Sequence, residues 1–202
     1  TAFGKKHLGA ALTGSSEYRF PSAGKAEDAA GGFKRAGGKD AGMTIEELLE
    51  IEEIKKLRSQ YSHFYDANRL DDLVNLFTED AICEWDASHG GCWVGKEQIR
   101  ANYERYFKEF GNKEWIVMHA VTNPWIELTG PDSAEGRFFM LDFNFCGLTE
   151  DPLGCIGVYD DAYKKIDGTW KIHRTRLDFL YPDRIVTGGI PGRRIPCAMD
   201  TR

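Results

Sequence analysis

The stretch YSHFYDANRLDDLVNLFTEDAICEW, residues 61–85, decides how the rest of the chain reads. Apolar residues recur at helical spacing on both sides of Asp66, so two helix faces meet at a carboxylate. A charged group at such a seam is unfavourable unless something pairs with it or uses it. Upstream, Leu48, Ile51, Ile54, Leu57, Tyr61 and Phe64 mark one face of a helix running to about Asp66. Thr44 with Glu47 three residues on forms a capping box that starts it. "ANRL" breaks that helix, "LDDLVNLF" makes a second short one, and "TED" ends it.

Downstream, "AICEW" and "GCWVG" read as a hairpin around Ser88–Gly91, and "KEQIRANYERYFKEF" as a third helix with Ile99, Tyr103, Phe107 and Phe110 inward. The period then changes. "WIVMHAVTNPWIEL", "SAEGRFFMLDFNFCG", "CIGVYDDAYKKI" and "TWKIHRTRLDFLY" are strand-like, rich in β-branched and aromatic residues. Pro131-Asp132 and Asp167-Gly168 supply the turns between them. Helices first and strands after predict an α+β fold with an antiparallel sheet wrapped over the helices. The strand "FFMLDFNF" is apolar on both faces, so one face meets the helices and the other needs a cover. A homodimer or homotrimer through the outer sheet face is the expectation.

Bulk properties limit the function classes. Residues 1–42 hold seven Lys/Arg against four Asp/Glu, a net of +3, whereas residues 43–202 hold 19 against 28, a net of −9. An acidic body argues against nucleic acid and anionic membrane as partners. No apolar run reaches the roughly 18 residues of a membrane helix. The Gly-, Ala- and Lys-rich residues 1–42 read as a flexible leader or remnant, with Met43 as a candidate start, and 183–202 as an irregular Gly/Pro/Arg-rich tail. The body is then 43–182. Five dispersed cysteines (83, 92, 146, 155 and 197) without a C-x-x-C pair suggest free thiols in a reducing, cytoplasmic compartment. His89-x-x-Cys92 lacks a second ligand pair and reads as a loop, so no metal site is expected.

Four polar residues sit in apolar surroundings on separate elements: Tyr61, Asp66, His119 and Asp142. Singly, each has an ordinary explanation: Tyr61 as core, Asp66 as a helix-end or turn residue, His119 as a satisfied strand histidine. Asp142 fits least well, because it shares a strand face with Phe138, Met140 and Asn144. A shared cavity in which Asp66 meets His119 explains all four together. Asp86, Asp160, Asp161 and Asp178 read instead as edge or turn residues, and His63 and His173 as surface or strand decoration. Tyr65, Trp85, Trp93, Asn123, Phe138, Asn144 and Arg176 are the candidate substrate-binding residues; the tryptophans read as core or pocket wall.

The phrase Y-x3-YDANRLDDLVNLFTEDA, followed in order by MHAVTNPWIEL, AEGRFFMLDF and YDDAYKKIDGTWKIHRTRLDFLY, resembles the SnoaL-like branch of the nuclear-transport-factor-like cone fold over roughly residues 45–182. Within that branch the sequence is most similar to the bile-acid 7α-dehydratases, and more distantly to scytalone dehydratase and hexachlorocyclohexane dehydrochlorinase. The resemblance implies a cone-shaped sheet enclosing a deep pocket. It also implies catalytic roles for Tyr61, Asp66, His119 and Asp142, all present with matching neighbours. A late-strand arginine of the bile-acid enzymes falls here on Phe179, with Arg174 and Arg176 a few residues earlier.

An Asp–His pair in a dry pocket makes a base, and Tyr61 can donate to a developing oxyanion. Asp142, desolvated, can serve as an acid or as a second orienting partner for His119. The sequence shows no nucleotide-binding glycine loop or nucleophile elbow. The expectation is a cofactor-independent lyase of dehydratase type acting on a bulky hydrophobic polycyclic or aromatic substrate. An isomerase or formaldehyde lyase acting on steroid-like or lignin-derived diaryl compounds uses the same groups. A non-catalytic binding or assembly module of the same fold is the reading from another class.

Overall fold

A computed structural model describes residues 42–86, 90–110, 116–145 and 152–181. The first helix, α1 (Ile45–Asp66), opens as its sequence dictates. The Thr44 hydroxyl accepts from the Glu47 amide at 3.1 Å, and the Glu47 carboxylate accepts from the Thr44 amide at 2.9 Å. Ile51, Ile54, Leu57 and Tyr61 are buried, but Leu48 is exposed, so the packed stripe starts one turn later than its periodicity suggests. The helix stops because Asn68 takes a left-handed conformation (φ 54°), which asparagine tolerates better than most residues.

Helix α2 (Leu70–Asn75) follows, and β1 (Phe77–Glu84) begins at once. The expected break at "TED" is therefore strand: Thr78 and the residues after it continue β1. Strand β2 (Cys92–Val94) returns antiparallel to β1, and α3 (Lys96–Phe110) occupies the predicted span. Ile99 and Tyr103 point into the core. Four long strands complete the body: β3 (Val117–Gly130), β4 (Ser133–Asn144), β5 (Leu153–Ile166) and β6 (Thr169–Tyr181). Asp167 and Gly168 both have positive φ (48° and 77°) and close the tight β5–β6 hairpin, whose geometry demands that conformation.

Among the described residues these strands form one six-stranded sheet, in the order β2-β1-β6-β5-β4-β3. It is mixed, not antiparallel throughout: β1 lies parallel to β6, with Cys83 opposite Thr175 and Glu84 opposite Arg176. The correction follows from topology, because the helical segment brings the chain back to the sheet beside its last strand. Edge strand β3 carries a bulge between Thr122 and Trp125, where Asn123 (φ 50°) precedes Pro124. An edge with a bulge is where a sheet accommodates proline.

Helix α1 packs on β3 and β6, and α3 on β1 and β2. The core between them joins Ile54, Leu57, Leu73 and Phe77 to Ile99, Tyr103, Met140 and Ile172. On the opposite sheet face Met118, Trp125 and Phe139 are exposed. Asp160, Asp161 and Asp178, expected at edges or turns, are buried within β5 and β6. Arginines compensate them: Arg176 Nη2 lies 3.0 Å from Asp160 and 3.1 Å from Asp178.

Among the described residues Cys83 and Cys155 are free thiols, whereas Cys92 is disulfide-bonded. The expectation of free thiols thus fails at Cys92, and with it the thiol argument for a reducing compartment. Its partner is not Cys83, which pairs across the hairpin with Trp93 while Cys92 faces Glu84. The leader and tail assignments, His89, Cys146 and Cys197 lie outside the described residues. No helix among the described residues is long and apolar enough to cross a membrane.

Ile54, wholly buried where α1 meets the sheet, is a sensitive point of this core. Ile54→Ala is expected to lower the unfolding free energy by about 2–5 kcal/mol in urea titrations, and a loss under about 1 kcal/mol would contradict this packing.

Candidate active site

Asp66 is the last residue of α1 and is buried. A carboxylate there opposes the negative end of the helix dipole, so its position requires a compensating partner. His119, from β3, supplies two donors. Its backbone N–H reaches Asp66 Oδ2 at 2.9 Å, and its ring Nδ1 lies 2.5 Å from Asp66 Oδ1. An ionised carboxylate only accepts hydrogen bonds, so Nδ1 carries the proton and Nε2 is left as the basic nitrogen. Tyr65, the residue just before Asp66, packs edge-on against the imidazole with ring centroids 4.8 Å apart. The Nδ1 bond and the Tyr65 ring thus fix the imidazole plane, while the backbone bond fixes the strand beside the helix end.

His119 borders a cavity of about 200 Å³ lined mainly by aromatic side chains, among them Tyr61, Tyr65, Trp85, Trp93 and Tyr103. Asp142 enters it from β4, directly opposite His119 in the strand register. Among the described residues its buried Oδ1 has no hydrogen-bond partner, and its Oδ2 makes a weak contact with the Cys155 thiol at 3.9 Å. Burial pushes the Asp142 carboxyl above the usual range; His119 opposes this and Asp66 adds to it. Burial and the Asp142 charge likewise push the Cys155 thiol up to about 12. The Tyr61 hydroxyl contacts the Tyr103 hydroxyl at 2.8 Å, so the expected donor belongs to a pair of phenols. Its acidity is suppressed by burial.

The four proposed catalytic residues therefore come together: three border the cavity, and Asp66 holds His119 from behind. Of the substrate-binding candidates, Tyr65, Trp85 and Trp93 line the cavity. The other four do not. Asn123 and Phe138 border a separate groove beside Trp125, Asn144 is exposed at the end of β4, and Arg176 is committed to Asp160 and Asp178. Arg176 alternates along β6 with the cavity residues Leu177 and Phe179, which places it on the opposite sheet face. The Asn123 bulge likewise shifts the side-chain alternation beyond Thr122.

Sequence reasoning missed Tyr103, Tyr106, Met140, Cys155, Tyr159, Leu177 and Phe179 in the lining. Period-two alternation from Asp142 already pointed to Met140. The register that places Tyr159 beside Phe138 needs the β4–β5 pairing, which a single strand does not reveal.

The comparisons with known proteins agree with this architecture. A family profile described as a SnoaL-like domain matches residues 46–176. The chain belongs to the SnoaL-like domain family. Uncharacterized proteins of Mycobacterium tuberculosis and Mycobacterium bovis are 28% identical to this SnoaL-like protein over 135 residues, covering 65% of its chain and 86% of theirs. A Novosphingobium aromaticivorans structure named "Putative Scytalone Dehydratase" is similar at 24% identity and TM-score 0.58, over 75% of this chain and 96% of that one. LinA is similar at 19% identity and TM-score 0.56, over 74% and 95%. A cystatin-like fold protein from Nostoc punctiforme matches with TM-score 0.57 at 17% identity, over 70% and 97%. At these identities the structural likenesses establish the cystatin-like, nuclear-transport-factor-like fold. One of these neighbours carries an enzyme name in its description and another is described as of unknown function.

The raised Asp142 carboxyl has a consequence for stability. The folded state holds this proton more tightly than the unfolded chain does, so the contribution is full below the ordinary carboxylate range and is lost as pH rises through the raised value. Asp142→Asn removes that loss. Its urea midpoint should exceed that of the parent at neutral pH, with the difference shrinking toward pH 3; a pH-independent difference would contradict the assignment.

Proposed function

We propose that this SnoaL-like protein is a cofactor-independent lyase of dehydratase type that begins by taking a proton from carbon. The observation that carries the reading is the two-point hold of Asp66 on His119 at the border of an aromatic cavity. Nε2 accepts a proton from a carbon made acidic by a neighbouring carbonyl or aromatic ring. The electron pair moves onto the ligand oxygen or expels a hydroxyl, toward which the Tyr61–Tyr103 pair and Asp142 donate. Asp142 suits the acid role because its environment favours the neutral, proton-bearing form.

Cavity size narrows the substrate. About 150 Å³ of apolar cavity accommodates benzene, so about 200 Å³ suits one substituted ring or a compact fused pair. A larger polycyclic compound would place only one end there. The four polar residues are what the bile-acid resemblance contributes here; Phe179, at the position of the late-strand arginine that the resemblance implies, gives the cavity an apolar wall. An isomerase shares the first proton abstraction and differs in returning the proton to another carbon.

Thermal shift against substituted aromatic ketones, polyketide-like aromatics, steroids and lignin-type diaryl compounds selects a ligand for the decisive assay. The parent protein should wash deuterium from D₂O into the acidic C–H of that ligand, His119→Ala should not, and Asp66→Asn should slow turnover by about 10²–10⁴-fold. Undiminished exchange in His119→Ala would remove the base from the account. We also propose that Met118, Trp125 and Phe139 on the outer sheet face meet a second copy of the chain. Sedimentation should then show a dimer or trimer that Trp125→Glu dissociates; a monomeric parent would refute this.

A further inference from the structure

Behind the cavity's tyrosine wall lies a buried cation. Arg58 precedes Tyr61 by one turn of α1 and is fully buried. Its guanidinium carbon lies 3.3 Å from the centroid of the Tyr159 ring and 4.2 Å from that of Tyr61. Both rings also border the cavity. The cation therefore sits against the backs of two rings whose other surroundings include the ligand space.

Its ordinary polar contacts are few and long. Nη1 is 3.5 Å from the Thr175 hydroxyl and 3.6 Å from Asp161 Oδ2. Nε and Nη2 are buried and make no hydrogen bond among the described residues. Asp161, the facing carboxylate, also accepts from the Tyr163 hydroxyl at 2.6 Å, so its charge is shared. A purely structural arginine at full burial would be expected to have its donors satisfied, because unpaired buried N–H groups are costly. What lies closest to this one is π density. Burial disfavours ionisation of Tyr61 and Tyr159, and Arg58 works against that penalty at both.

We propose that Arg58 is a positioning residue that turns the Tyr61–Tyr159 wall into a surface selective for a ligand oxyanion, an enolate or a phenolate. A cation over a ring face draws electron density from it, and the ring's hydroxyl then donates more strongly to negative oxygen. This inference rests on the reading of the cavity as a site of carbon-acid chemistry. When His119 Nε2 takes the proton, the electron pair left on carbon moves to the ligand oxygen. The phenols meet that oxygen by hydrogen bonding, without giving up their protons. Arg58 touches neither the ligand nor the reacting atoms; it acts through the two rings.

4-Nitrophenol is a suitable probe: one ring, one hydroxyl, and an absorbance that separates phenol from phenolate. Titrated into the parent protein over a range of pH, it should bind preferentially as phenolate, with its apparent pKa lowered on binding. Arg58→Met should reduce the phenolate-over-phenol preference by about tenfold or more, and Arg58→Lys should restore most of it. Asp161→Asn should increase the preference, because it removes the charge that offsets the cation. That direction is opposite to what loss of a merely structural pair would give, and it decides the matter if Arg58→Met does not fold by circular dichroism. No phenolate preference in the parent, an unchanged preference in folded Arg58→Met, or a decrease in Asp161→Asn would each overturn the inference. Deuterium exchange dependent on His119, accompanied by an unchanged preference in Arg58→Met, would sink this inference alone. A preference dependent on Arg58, accompanied by no exchange, would sink the lyase reading while the cation's role stood.

Discussion

The site depends on one carboxylate bonding twice to one residue. Asp66 accepts both the backbone N–H and the imidazole N–H of His119, so the end of α1 and strand β3 are joined at the residue that would do the chemistry. The backbone contact fixes where the strand passes the helix, and the ring contact fixes which nitrogen is basic. Moving either oxygen would disturb position and tautomer together. The helix must also end where it does, and the left-handed Asn68 turns the chain away immediately afterwards. Helix termination, sheet docking and imidazole orientation are thus consequences of the short stretch around YDAN.

Around that hold the protein builds a cavity of phenols and indoles. Tyr61 and Tyr103 bond to each other through their hydroxyls, Tyr65 braces the imidazole, and Trp85 and Trp93 pack edge to face with centroids 5.6 Å apart. Such a wall lines the cavity with apolar ring faces while keeping hydroxyl donors available, which suits chemistry in which negative charge develops on an uncharged ligand. The charged groups divide by location. Asp142 meets the cavity directly in an environment that favours its neutral form, whereas Arg58 and Asp161 lie behind the tyrosines. The outer sheet face carries a separate row in which Arg176 lies between Asp160 and Asp178.

Much of this was legible in the residues, and the misses have physical causes. Helical periodicity and the Thr44–Glu47 box located α1, and the change to period two located β3 to β6. Asp66, His119 and Asp142 stood out because each is polar at an apolar position. The parallel β1–β6 pair was not legible, because a strand's own pattern does not record its neighbour's direction. Arg176 stands among the pocket candidates because the resemblance implies a late-strand arginine a few residues away, at Phe179. Alternation with Leu177 puts it on the other face, where Asp160 from β5 neutralises it. Arg58 went unnoticed for the opposite reason: a lone arginine in a helix rich in Lys and Glu looks like a solvated residue, and only the folded chain shows it enclosed by Tyr61, Tyr159 and Asp161.

The central claim is that Asp66 holds the His119 imidazole with Nδ1 protonated and Nε2 basic. Nitrogen NMR of ¹⁵N-histidine-labelled protein near neutral pH, with His119 assigned by its absence in His119→Gln, reads this directly. With the ring in its neutral form, the account predicts the proton on Nδ1, a strongly downfield N–H resonance that disappears in Asp66→Asn, and an unprotonated Nε2. A His119 signal averaged between tautomers, or a proton found on Nε2 with Nδ1 bare, would contradict it.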